Sequence, residues 1–153
     1  MKLFRIANIF LLVLFLSACK VELNSDEGDV DEVVEYIFYK SEIVDTIYPT
    51  NNEYDLTITG ASNKLDIEGD VRQLTITNDD NQLELLDRDY VEGISLSASG
   101  TIINAIDTEV KQIIIAGDGN VITVADCTSL LLAGKDNQVI SMKKGGCDEE
   151  GVL

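Results

Sequence analysis

Three side-chain types in this 153-residue chain could do chemistry at defined spacings: thiols, amides and carboxylates. The thiols are Cys19, Cys127 and Cys147. A thiol can be acylated, oxidised or bound to metal. The amides recur as Asn63, Asn81, Asn120 and Asn137, each closing a short polar segment. An Asn side chain carries both donors and an acceptor, so stacked Asn residues can form a hydrogen-bonded ladder. Carboxylates crowd the same segments as Asp79, Asp80, Asp118 and Asp136. The chain has no His, which excludes a His-ligated metal and any Ser-His or Cys-His catalytic pair. With 28 acidic and 11 basic side chains the formal charge is −17, and such a surface repels nucleic acid.

The elements that hold these residues repeat. Residues 56–63 (LTITGASN), 74–81 (LTITNDDN), 94–101 (ISLSASGT), 113–120 (IIIAGDGN) and 130–137 (LLLAGKDN) begin 18, 20, 19 and 17 residues apart. Each starts as an alternating strand and ends in a polar loop, closed by Asn except at Thr101. A second alternating strand follows, with Leu65/Ile67, Leu83/Leu85, Ile103/Ala105, Ile122/Val124 and Val139/Ser141. Three residues before each later unit stands Val71, Val91, Val110 or Cys127. A period near twenty points to a solenoid, in which like positions stack at the inter-strand spacing. The expectation is therefore all-β, a short parallel β-helix-like solenoid of about five coils over residues 56–153. Five antiparallel hairpins are the alternative. Coils are favoured because the columns match in content and the Asn recurs at one corner only.

On that scheme Cys127 takes the place of Val71, Val91 and Val110, and Cys147 follows 20 residues later. Stacked, their Cα atoms would lie about 5 Å apart, within disulfide range. We expect a Cys127–Cys147 bond closing the C-terminal end, with two free thiols as the alternative. Thr101 would interrupt the Asn ladder. Asp66 and Glu84 would stack on an outer face. The loop carboxylates Asp79, Asp80, Asp118 and Asp136 read as a solvated edge rather than a cation site, since neither EF-hand nor nine-residue calcium spacing is present. Outward Thr57/Thr59 and Thr75/Thr77 give way to Ile114 and Leu131. That apolar stripe needs a cover, either residues 33–48 or a partner.

Residues 33–48 (VVEYIFYKSEIVDTIY) read as two strands, Val33 to Tyr39 and Ile43 to Tyr48, before a turn at Pro49. They do not follow the repeat and are expected to pair with or cap its first coil. Residues 19–32 are polar and acidic enough to read as a tether.

Before the tether, Lys2 and Arg5 precede the apolar run Ile9 to Leu16, which is too short to span a bilayer. Leu16, Ser17, Ala18 and Cys19 then resemble the lipobox of bacterial lipoprotein precursors. The resemblance implies a signal peptide over 1–18, acylation of Cys19 and cleavage before it. Lys20, rather than Asp, implies transport to the outer membrane if the source is Gram-negative. The repeat itself resembles the bacterial domain of unknown function 3060 family, whose strands flank Gly-x-x-Asn. Gly60 to Asn63, Gly117 to Asn120 and Gly134 to Asn137 carry that signature, whereas Asn78, Ala98 and Thr101 depart from it. The family implies no activity. Together these features predict a lipid-anchored envelope module that is structural or binds a protein or glycan, without a cofactor. The alternatives are a weak divalent-cation binder and a small carbohydrate-active β-helix enzyme. Scattered basic residues, Lys64, Arg72, Arg88, Lys111, Lys135, Lys143 and Lys144, argue against the enzyme.

Overall fold

Strict alternation of aliphatic and polar residues buries one side of a strand and solvates the other. Short runs of this kind, rich in Ile, Leu, Val and Thr, form all elements but the last (DEEGV) of the computed structural model, which describes residues 33–49, 53–86, 90–143 and 147–152. The strands are β1 (Val34–Phe38), β2 (Val44–Ile47), β3 (Tyr54–Ile58), β4 (Lys64–Ile67), β5 (Val71–Ile76) and β6 (Gln82–Leu85). They continue as β7 (Tyr90–Leu96), β8 (Ile102–Ile115), β9 (Val121–Leu132), β10 (Gln138–Ser141) and β11 (Asp148–Val152). Every pairing is parallel. That direction removes the hairpin alternative, because a hairpin pairs its strands antiparallel.

The strands stack in two ladders. One runs β1, β3, β5, β7, the rear of β8, the rear of β9, then β11. The other runs β2, β4, β6, the front of β8, the front of β9, then β10. The result is a parallel β-solenoid of about five turns over residues 34–141. Its core consists of aliphatic columns facing one another. Leu56, Leu74, Ile94, Ile113 and Leu130 stack from one side, and Leu65, Leu83, Ile103 and Ile122 from the other, all buried. Each such side chain contributes about 1.5–3 kcal/mol by leaving water.

Residues 33–48 are more regular than expected. They form a coil of the same winding, with Val34, Tyr36 and Phe38 in register with Tyr54, Leu56 and Ile58. Their kinship is hidden because Lys40 and Ile43 stand where later coils have Gly and Asn. They also cannot cover Ile114 and Leu131, which lie in the rear coils while β1 and β2 form the front one. Both residues do follow Thr57, Thr75 and Ser95 on the outer face, and both are half-buried.

The column of Val71, Val91, Val110 and Cys127 also includes Tyr54, which the repeat spacing conceals. Arg72 is an extra residue relative to β3, so Val71 stands three places before Leu74 while Tyr54 stands two before Leu56. Tyr54 is fully buried, and its phenol donates to the Glu68 carbonyl at 2.7 Å.

Candidate functional site

Each passage from the first ladder to the second takes five residues: 39–43, 59–63, 77–81, 97–101, 116–120 and 133–137. The fourth of the five adopts positive φ in every coil, as Glu42, Ser62, Asp80, Gly100, Gly119 and Asp136. A left-handed residue turns the chain sharply enough to start the opposite strand; Gly adopts this conformation freely and Asp more readily than most, whereas Glu42 and Ser62 are held in it by the corner. The second of the five lies hard against the preceding coil. A Cβ on Gly60 would sit 1.5 Å from the Lys40 carbonyl oxygen, and one on Gly117 would sit 1.8 Å from that of Ala98. This close approach is the physical reason for Gly in the Gly-x-x-Asn motif.

The fifth position is the Asn column. Asn63 donates from Nδ2 to Asn81 Oδ1 at 3.0 Å, and Asn120 does the same to Asn137 at 3.0 Å. Each Asn also reaches backward into the preceding coil. The Nδ2 groups of Asn63, Asn81, Asn120 and Asn137 donate to the carbonyls of Lys40, Gly60, Ala98 and Gly117 at 2.7–3.0 Å. Their Oδ1 atoms accept backbone N–H groups, from Ile43, Asn63, Thr101 and Asn120 respectively. The predicted ladder is therefore present, and it serves the backbone as much as the neighbouring amide. Thr101 interrupts it as expected. Its Oγ1 is the one buried side-chain polar atom among the described residues without a hydrogen-bond partner.

Two of the candidate acidic residues belong to a parallel ladder at the third corner position. Asp79 Oδ1 accepts the Ser99 N–H at 2.7 Å, and Asp118 Oδ1 accepts that of Lys135 at 2.7 Å. Ser41 and Ser99 do the same for Ala61 and Asp118 through their hydroxyls. Asp80 and Asp136 occupy the left-handed positions instead. Sequence alone missed this second ladder because Ser and Asp share its column and no single residue type recurs. Asp66 and Glu84 are register partners on the outer face, and Asn104 donates to Glu84 at 3.4 Å.

Cys127 and Cys147 are joined, with Cα atoms 5.0 Å apart, so β11 is stapled over β9. The opposite corner of the coil is held by ion pairs. Arg72 grips Asp55 through two bonds of 2.6 and 2.9 Å, and the Asp55 hydrogen bond raises the guanidinium pKa. Lys143 joins Glu109 and Asp126, and those hydrogen bonds raise its pKa above 10.5. Among the described residues, Lys40, Lys64 and Lys111 line three different cavities. Cys19 and the whole lipobox, Leu16, Ser17, Ala18 and Cys19, lie outside the described residues, as does the acidic tether.

Among the described residues, the front end of the solenoid also carries an opening. A cavity of about 370 Å³ is lined there by Tyr36, Phe38, Tyr39, Asp45, Ile47 and Tyr48. Phe38 and Ile47 are buried, whereas Tyr39 is 75% exposed and Val44 80% exposed. Single-sequence reading pointed away from this opening, because its residues look like ordinary strand formers. No family model matches the chain, and neither does any curated protein or solved structure.

Proposed function

We propose that this chain is a lipid-anchored lipoprotein of the cell envelope. It acts as a binding module that holds a rigid aromatic-rimmed opening near a membrane. The anchor rests on the lipobox-like Leu16 to Cys19 and the basic and apolar residues before it. Cys19 would carry the acyl chains, and Lys20 favours the outer membrane in a Gram-negative source. The corner Gly-x-x-Asn signature supports kinship with the domain of unknown function 3060 family.

The single observation behind binding is the front cavity of about 370 Å³, a volume in the range of small-ligand sites. Its tyrosines offer flat apolar faces with polar tips, and Asp45 offers a hydrogen-bond acceptor. A glycan presents apolar ring faces and hydroxyl donors that match both. By contrast, Asp79 and Asp118 already accept backbone N–H groups, which disfavours a cation site at the tight corner.

The test has two arms. Cys19→Ser is expected to accumulate as an unprocessed precursor without lipid label, and normal maturation of that variant would remove the anchor. The full chain is expected to retain envelope glycans on an immobilised panel, with at least tenfold weaker retention for Tyr36→Ala combined with Tyr39→Ala. Equal retention by both proteins would remove the binding role of the opening.

A further inference from the structure

A stack of parallel strands has an open edge at each end, and such edges invite another chain to pair with them. At the front, β1 pairs only with β3 and β2 only with β4 among the described residues. The same end exposes Val34, Tyr36, Ile37, Tyr39, Val44 and Tyr48, six of the large apolar side chains that remain in water. By this measure a second copy should add to the stack.

One position opposes it. Asp45 is in register with Leu65, and through it with Leu83, Ile103, Ile122 and Val139. It is the front member of an otherwise aliphatic inward column. Its carboxylate accepts the Thr46 N–H at 2.9 Å and is exposed to water.

We infer that Asp45, an acidic residue in an aliphatic column, closes the front of this solenoid to end-to-end growth and holds that edge apart from a second copy of the chain. Front-to-front contact would bury two Asp45 carboxylates against each other. Front-to-rear contact would bury Asp45 beneath the last coil of a second copy. Burying an unpaired carboxylate is strongly unfavourable, so each geometry is opposed without any loss of apolar surface at the rim. This leaves the front cavity open to solvent, yet the inference stands whether or not that cavity binds a glycan.

The experiment is sedimentation of the full chain in density-matched detergent. Wild type is expected to carry the mass of one chain. Asp45→Val, which extends the aliphatic column, is expected to double that mass. Adding Ile37→Lys to the front edge of Asp45→Val should restore the single-chain mass. Asp45→Leu provides a second replacement should the first fail to fold, which circular dichroism would reveal. A wild-type dimer, a folded Asp45→Val or Asp45→Leu that stays monomeric, or a dimer that ignores Ile37→Lys would each overturn the inference.

Discussion

At the tight corner every coil spends five residues, from 39–43 through 133–137. At the opposite corner the connection ranges from three residues at 68–70 to six at 48–53, and β8 and β9 pass through as continuous strands. The tight corner is held by a repeated backbone-to-side-chain code: close approach at the second position, hydroxyl or carboxylate at the third, positive φ at the fourth, amide at the fifth. The opposite corner is held by unlike devices, including the Tyr54 phenol on Glu68 and Lys143 between Glu109 and Asp126. The variable repeat spacing of 17 to 20 residues therefore arises away from the Asn corner. The buried amides Asn63, Asn81 and Asn120 must meet the same backbone groups each time, which fixes the length of this corner, whereas the opposite corner is held differently from coil to coil.

Replacing Asn120 strikes this contrast hardest. Asn120 serves Thr101 N–H, the Ala98 carbonyl and Asn137 Oδ1 at 2.8–3.0 Å. Asn120→Ala leaves the buried Thr101 N–H and Ala98 carbonyl without the amide, each worth about 1–3 kcal/mol, while Asn137 Oδ1 keeps the backbone N–H of residue 120. We expect a loss of about 3 kcal/mol in urea unfolding; a loss under about 1 kcal/mol would show that the amide column is not what secures the corner.

The reverse change sharpens the comparison. Thr101 is the one gap in the column behind the first coil, with a buried Oγ1 lacking a partner. Thr101→Asn supplies an acceptor and two donors at the same place. It should raise stability by about 1 kcal/mol, read as a higher urea midpoint with unchanged slope. A destabilised variant would mean that this coil is shaped around Thr.

The smallest effect belongs to the opposite corner. Hydrogen bonds to Glu109 and Asp126 raise the Lys143 pKa above its ordinary 10.5. A raised basic pKa stabilises the fold below the unfolded value, and that contribution disappears as pH climbs through the folded value. The difference in urea midpoint between wild type and Lys143→Met should thus be small at pH 8 and shrink further above 10.5. A difference that grows with pH would contradict the assignment.

Much of the winding was legible because it is local and repeated. Leu56-Thr57-Ile58 and its four successors set the period, and Cys127 and Cys147 fell into one column by counting alone. The front coil was not legible. Lys40 and Ile43 remove the Gly and Asn that mark the motif, although the alternation of Val34, Tyr36 and Phe38 still fills the same columns. Tyr54 was overlooked for a similar reason, since Arg72 shifts the count by one in the next coil.

Sequence by itself determined the alternating strands, the period, the recurring Asn and the 20-residue cysteine spacing, because each depends on a residue type recurring at a fixed interval. It favoured coils over hairpins and a disulfide over free thiols, and the parallel register and the joined cysteines decided both. Tertiary structure decided the rest: the joining of β1 and β2 to the stack, the second ladder through Ser41, Asp79, Ser99 and Asp118, and the exposed position of Asp45 at an aliphatic column's end. These depend on which residue lies above which, and a one-residue bulge changes that relation without altering composition or alternation.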